Sequence, residues 1–184
     1  MKTYWIGDIH GCFKTFEKLL SRIPSGYKIG LLGDINDRGT GTLPSIKLAL
    51  DKADYMLMGN HESLMEVAVE NYMDRSCFEL WMRCGGHSVA DELNIYHYDD
   101  FKQMVIMAEP EIEMIERYLA KCKMSFSCDD YVAAHACIPS DFNDANIDID
   151  TRLADKLLWG TDDSIGDSAL FAKSSGKQVI LHRV

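Results

Sequence analysis

The chain has no surplus of positive charge. Its 19 Lys and Arg stand against 29 Asp and Glu, for a formal net charge of −10. That balance argues against a general polyanion-binding surface, because phosphate backbones are neutralised by a basic face, so nucleic acid is not an expected partner. A local cationic site made by metal ions remains compatible with it. The six cysteines, at 12, 77, 84, 122, 128 and 137, contain no Cys-x-x-Cys pair, which argues against a zinc ribbon. No apolar run is long enough to span a bilayer. The first apolar run, Tyr4-Trp5-Ile6, meets Asp8 too soon for a secretory leader. There is no internal repeat and no low-complexity tract. The expectation is a cytoplasmic protein, off the membrane, with reduced thiols.

What is present fits one domain. A chain of 184 residues with 47% hydrophobic and 26% charged residues can bury a substantial core. In the first 72 residues a strand–loop–helix rhythm occurs three times. Tyr4-Trp5-Ile6 leads into Gly7-Asp8-Ile9-His10-Gly11. Ile29-Gly30-Leu31-Leu32 leads into Gly33-Asp34-Ile35-Asn36-Asp37-Arg38-Gly39, and Asp54 to Met58 leads into Gly59-Asn60-His61-Glu62. Between the loops, Phe13, Phe16, Leu19, Leu20 and Ile23 recur at helical spacing. Thr42 reads as the N-cap of a helix through Lys52, and Leu64 to about Tyr72 reads as helix. Parallel strands with crossover helices place all three loops on one edge of a sheet, which is where ligands collect in α/β folds.

The rest of the chain is read more coarsely. Cys84-Gly85-Gly86 marks a break after Phe78, Leu80, Trp81 and Met82. Asp100 and Gln103 suggest a capping box, and Ile112, Ile115, Leu119 and Cys122 form a core-facing stripe. Residues 124 to 128 and 131 to 134 flank Asp129-Asp130 as a hairpin, closed by His135. Residues 138 to 150 read as loop, Leu153 to Leu158 as a short helix, 161 to 176 as irregular, and Val179-Ile180-Leu181 as a strand.

The loop side chains Asp8, His10, Asp34, Asn60, His61 and His135 form a mixed oxygen and nitrogen donor set without thiolate. That set suits manganese, iron or zinc. Two cations sharing one carboxylate sit roughly 3.5–4 Å apart and can share a hydroxide that attacks phosphorus. A nearby imidazole can protonate the leaving oxygen, and arginine offers a donor fork that fits a phosphate. Taken singly, each residue reads as well as an ordinary surface or hydrogen-bonding group, and Asp37–Arg38 as a surface ion pair. Three ligand-bearing loops, each directly after a strand, are hard to attribute to chance. His87 and His97 belong to no such pattern.

The three glycine-led blocks resemble the signature blocks of the calcineurin-like metallophosphoesterases. Within that superfamily they are most similar to bacterial and phage serine/threonine protein phosphatases of the PPP type. Trp81-Met82-Arg83-Cys84-Gly85-Gly86 and Ala134-His135-Ala136 share the resemblance, which runs to about Trp159. It implies an α/β fold, a β-sandwich flanked by helices in four αββα layers, and two divalent metal ions, with manganese expected and iron or zinc as alternatives. By the same resemblance Asp8 and His10 hold the first metal, Asp34 bridges, and Asn60 and His135 hold the second. His61 is the general acid, supported by Asp37, and Arg38 grips the phosphate.

Two departures stand out. The family has an arginine after a Leu-Trp pair where this chain has Leu158-Trp159-Gly160-Thr161-Asp162. It also supplies a last histidine from a Gly-His pair, where this chain has Leu181-His182. His182 is therefore expected to approach the second metal and bind it weakly, in a single domain spanning 1–184 that lacks the family's final strands. The leading expectation is a phosphomonoesterase acting on a phosphoserine or phosphothreonine protein or peptide. The alternatives are a dinucleoside polyphosphate hydrolase, whose family shares the blocks, and an impaired phosphate-binding domain with weak or no catalysis.

Overall fold

Strand residues alternate sides, so neighbours along one strand can serve two different cores. The computed structural model, which describes residues 2–142, 151–160 and 164–182, uses that alternation throughout. Strands β1 (Thr3–Ile6), β2 (Lys28–Leu31) and β3 (Tyr55–Met56) form a parallel sheet in that order, with Ile6 opposite Leu31 and Leu31 opposite Met56. A second sheet has the order β4 (Ser125–Ser127), β5 (Tyr131–Ala134), β6 (Gln178–Leu181). There β4 and β5 run antiparallel and β5 and β6 parallel.

One residue of each adjacent pair faces the other sheet. Leu32, Leu57 and Ala133 are buried together, with Trp5, Phe126 and Ile180 packed on them. Their neighbours Ile6, Leu31 and Met56 face the helices outside the first sheet, and Val132 and Ala134 face those outside the second. The result is the expected four-layer arrangement of helices, sheet, sheet and helices.

The first outer layer is built from α1 (Phe13–Leu20), α2 (Thr42–Lys52), α3 (Asn60–Glu70), α4 (Arg75–Trp81), α5 (His87–Glu92), α6 (Tyr98–Met107) and α7 (Pro110–Leu119). Phe16, Ile46, Met65, Trp81, Phe101, Ile112 and Ile115 are its buried centre. A fully buried Ile or Leu here contributes about 1.5–3 kcal/mol of transfer free energy. The second layer is α8 (Thr151–Trp159) and α9 (Ser164–Ser175), which pack Leu157 and Phe171 against Val132, Ile138 and Phe142. Among the described residues no helix is long and apolar enough to cross a membrane.

Several local expectations are corrected. α3 starts at Asn60, not Leu64, because Gly59 is its N-cap and the Glu62 carboxylate accepts the Gly59 N–H at 3.0 Å. Asn60 and His61 thereby become first-turn residues. α2 is preceded by Gly41 as N-cap, and Thr42 is its first residue. The free N–H groups of Thr42 and Leu43 are instead received by Glu92, at 2.6 and 3.0 Å. Asp100 is the N3 partner of His97, accepting its N–H at 2.8 Å, rather than the start of a box with Gln103. Residues 164 to 175, expected irregular, are α9. The Cys84-Gly85-Gly86 break stands as expected, a kink between α4 and α5 with Gly85 non-helical at φ 124°. The loop expected over 143 to 150 lies outside the described residues.

Candidate metal centre

The three glycine-led loops leave β1, β2 and β3 at the same edge; backbone bonds tie the first to the second, and the Asp34 and Glu62 carboxylates tie the third to them. The N–H groups of Ile9 and His10 both reach the carbonyl of Asp34 at 2.9 Å, and Gly11 N–H reaches that of Ile35 at 2.8 Å. This crowding forces unusual backbone. Six described residues other than glycine have positive φ, and four of them are here: His10 (43°), Asp34 (55°), Asp37 (66°) and Arg38 (65°). Left-handed backbone is unfavourable for these residue types and persists only where surrounding contacts over-determine it. At Gly59 the approach is so close that a Cβ would collide with Asp34 Oδ1.

Two of the imidazoles are oriented by carbonyls. His10 donates from Nδ1 to Asn36 O at 2.9 Å, and His135 from Nδ1 to Leu32 O at 2.7 Å. Both therefore present Nε2 as a lone pair to the centre, which is how metal-ligating histidines are held. His10 Nε2 lies 3.6 Å from Asp8 Oδ2 and 3.7 Å from Asp34 Oδ2. His135 Nε2 lies 3.6 Å from the same Asp34 oxygen and 3.1 Å from Asn60 Oδ1. Asp34 belongs to both candidate ligand groups, one with His10 and His61 and one with Asp8 and His135. Asp8 Oδ1 is buried without a hydrogen-bond partner. A buried carboxylate with one unpartnered oxygen, clustered with Asp34 and His135 and joined by His10, is an oxygen and nitrogen donor set that suits cations, so the residues present fit a pair of divalent metals.

The charges around Asp8 act in the same sense. Burial alone raises a carboxyl pKa, but His10, His182 and His135 outweigh it and hold Asp8 below the ordinary carboxylate range. For His10, burial pulls downward, and Asp8, the Asn36 carbonyl and Asp34 more than reverse it.

His182 reaches the centre. Its N–H donates to His135 O at 2.9 Å, its ring stacks on His135 at 6.2 Å between centroids, and its Nε2 lies 3.2 Å from Asp8 Oδ2. The sequence expectation placed it with Asn60 and His135. In the fold its ring stacks on His135 and its imidazole meets Asp8.

On the outer side, His61 Nδ1 is 2.7 Å from Asp37 Oδ2, both side chains being buried. The other Asp37 oxygen accepts from Trp81 Nε1 at 3.0 Å. Arg38, exposed at the mouth, stands 2.9 Å from His61 Nε2 and 3.0 Å from His10 Nε2. The expected site residues thus all converge.

Two further residues support them. Glu62 is fully buried and accepts from Asp34 N at 2.6 Å, Ile35 N at 2.8 Å, Gly59 N at 3.0 Å and Tyr118 Oη at 2.9 Å. Burial and the charge of Asp34 raise its pKa. A glutamate three residues after a helix-starting glycine is the signal in the sequence that points to it. Trp81 stands in the sequence only as part of a tract, and nothing there pairs it with Asp37.

Residues 1–160 match the family model of the calcineurin-like phosphoesterases. A symmetrical bis(5'-nucleosyl)-tetraphosphatase of Serratia proteamaculans is 39% identical over 67 residues, 34% of this chain and 24% of that protein. One of the same description from Buchnera aphidicola is 30% identical over 112 residues, 50% of this chain and 41% of that protein. The chain therefore spans less than half the length of these curated relatives. Among solved structures, a protein serine/threonine phosphatase of Saccharomyces cerevisiae covers 98% of this chain and 60% of its own, with a TM-score of 0.56 at 16% identity.

Proposed function

We propose that this chain, which belongs to the calcineurin-like phosphoesterase family, hydrolyses a phosphoric ester or anhydride at a two-metal centre, with dinucleoside polyphosphates as its substrate class. The observation that carries the reaction is Asp34 shared between two ligand groups, with the buried His61–Asp37 pair beside them. The substrate class is supported by the curated relatives, which are tetraphosphatases.

In this reading Asp8, His10 and Asp34 hold one cation, and Asp34, Asn60 and His135 hold the other, joined by His182. Divalent ions bound there would supply Lewis acidity and an activated water at neutral pH. The donor set suits manganese, iron or zinc. Arg38 draws the phosphoryl oxygens into place. Asp37 holds the His61 ring through Nδ1, and Nε2, which Arg38 contacts at 2.9 Å, delivers a proton to the departing oxygen when Arg38 engages the phosphoryl group.

A second reading is a serine/threonine phosphatase, the leading expectation from sequence. It is favoured by the His61–Asp37 pair itself, since an alkoxide leaves poorly without a proton whereas a nucleotide phosphate leaves well. One experiment separates the two. Purified protein is analysed for bound metal and assayed on diadenosine tetraphosphate and a phosphoserine peptide with manganese, iron or zinc. Faster turnover of the dinucleotide is the expected result, faster turnover of the peptide supports the second reading, and two bound metals with no turnover of either overturns both.

A further inference from the structure

The dipeptide Asp37–Arg38 carries two consecutive left-handed residues, neither of them glycine, at φ 66° and 65°. The residues that pin it lie more than forty positions further along the chain. Trp81, the last residue of α4, is 1% exposed and donates from Nε1 to Asp37 Oδ1 at 3.0 Å. In the kinked segment Met82–Gly86 between α4 and α5, the Gly85 carbonyl accepts the Arg38 N–H at 3.1 Å. Gly85 itself stands at φ 124°, and a Cβ there would sit 3.1 Å from Arg38 Cγ. Gly85 breaks the helical path between α4 and α5, and an indole N–H from the end of α4 and a carbonyl from the kink reach adjacent residues of one strained loop.

The Asp37 carboxylate is consequently held at both ends, His61 Nδ1 on Oδ2 at 2.7 Å and Trp81 Nε1 on Oδ1 at 3.0 Å. A carboxylate held at one oxygen can swing; held at both, it cannot. Resting on the reaction proposed above, we propose that Trp81 and Gly85 are positioning residues with separate duties. Trp81 fixes the carboxylate that orients His61 toward the leaving group, and Gly85 fixes the backbone from which Arg38 grips the phosphoryl group. The end of α4 and the kink after it therefore set leaving-group protonation and phosphate affinity independently.

Trp81 also packs against Phe101 and Phe78, with ring centroids 5.9 and 6.4 Å away, so a purely structural role must be separated from this one. Trp81→Phe keeps an aromatic ring and removes the N–H. It should lower kcat on an alkyl phosphoester about tenfold more than on p-nitrophenyl phosphate, with KM little changed, because only the poorer leaving group needs the proton. Trp81→His, smaller but able to donate, should recover part of the alkyl rate. Gly85→Ala should instead raise KM, and weaken inorganic phosphate binding measured by calorimetry, with the alkyl-to-aryl ratio unchanged.

A readout independent of turnover is the His61 Nδ1–H proton resonance, which should exchange faster in Trp81→Phe. Equal alkyl and aryl losses with an unchanged Nδ1–H resonance would make Trp81 a core residue only and overturn the inference. Unchanged phosphate binding in Gly85→Ala would overturn its half. If the wild-type protein turns over no phosphoester, the proposed reaction fails, while the proton resonance and the phosphate titration still decide this inference. If Trp81→Phe does not fold, Trp81→His and Gly85→Ala carry the test.

Discussion

The two sheets contribute to the centre in different ways. The first supplies Asp8, His10, Asp34, Asp37, Arg38, Asn60 and His61 from three loops that are bonded to one another through Asp34 O, Ile35 O and the Glu62 carboxylate. The second supplies His135 and His182 from the ends of β5 and β6, joined to each other by one backbone bond and to the first sheet through Leu32 O. Asp34 is 1% exposed, whereas the His182 side chain is 33% exposed. One half is rigid before any ligand arrives. The other is a pair of imidazoles on strand ends, of which the last is partly wet. Ligands held loosely bind metals less tightly, so the two metal positions should differ in affinity, the one that depends on His182 being weaker.

The shared residue tests the comparison most severely. Asp34→Asn removes the charge common to both ligand groups, and activity should fall on the order of 10²–10³-fold, the range for losing one preorganised electrostatic stabiliser, with both metals depleted in elemental analysis. Retention of two tight metals and normal turnover would dissolve the distinction between the halves.

Glu62→Gln attacks the rigid half alone. One buried carboxylate serves three backbone donors and Tyr118, and an amide can accept with only one of its two ends. Metal affinity should drop about 10–100-fold, as when an outer-shell partner of a ligand is lost, and thermal unfolding should move down by an amount equivalent to about 2 kcal/mol. His182→Ala attacks the wet half. A two-site titration should show the weaker site loosened about tenfold and the tighter one unmoved; equal loosening of both would place His182 at the shared centre. The smallest effect belongs to Tyr118→Phe, which takes one of four donors from Glu62 and should cost about 1 kcal/mol in denaturant unfolding while both metals remain bound.

Much of this centre is legible in the sequence because its candidate ligands come directly after strand ends, at Asp8, Asp34 and Asn60, where glycine marks the turn. The part that is not legible depends on residues far apart. Thr42 looks like a helix cap, yet the capping carboxylate comes from Glu92, fifty residues on. α9 carries Gly166 and few apolar residues in register, and Ser168 is placed by tertiary bonds to the backbone of Ile138, at 3.1 and 3.2 Å. The Glu62 carboxylate can be read as capping its own helix, but not as accepting from Asp34 and Ile35. Trp81 shows the same limit, since its indole meets Asp37 across 44 positions of chain.

The alternation of adjacent strand residues between two cores has a further consequence for how the gene can change. Ile6 and Trp5, Leu31 and Leu32, and Met56 and Leu57 divide between the helical side and the inter-sheet side. Deleting or inserting a single codon within β2 would turn every later side chain of the strand to the opposite face, exchanging Leu31 with Leu32 and rotating the Asp34 loop away from its partners. Length variation in this lineage should therefore collect in the helix-to-strand connections, such as Pro24 to Tyr27, and be purged from the three short strands and the loops that leave them.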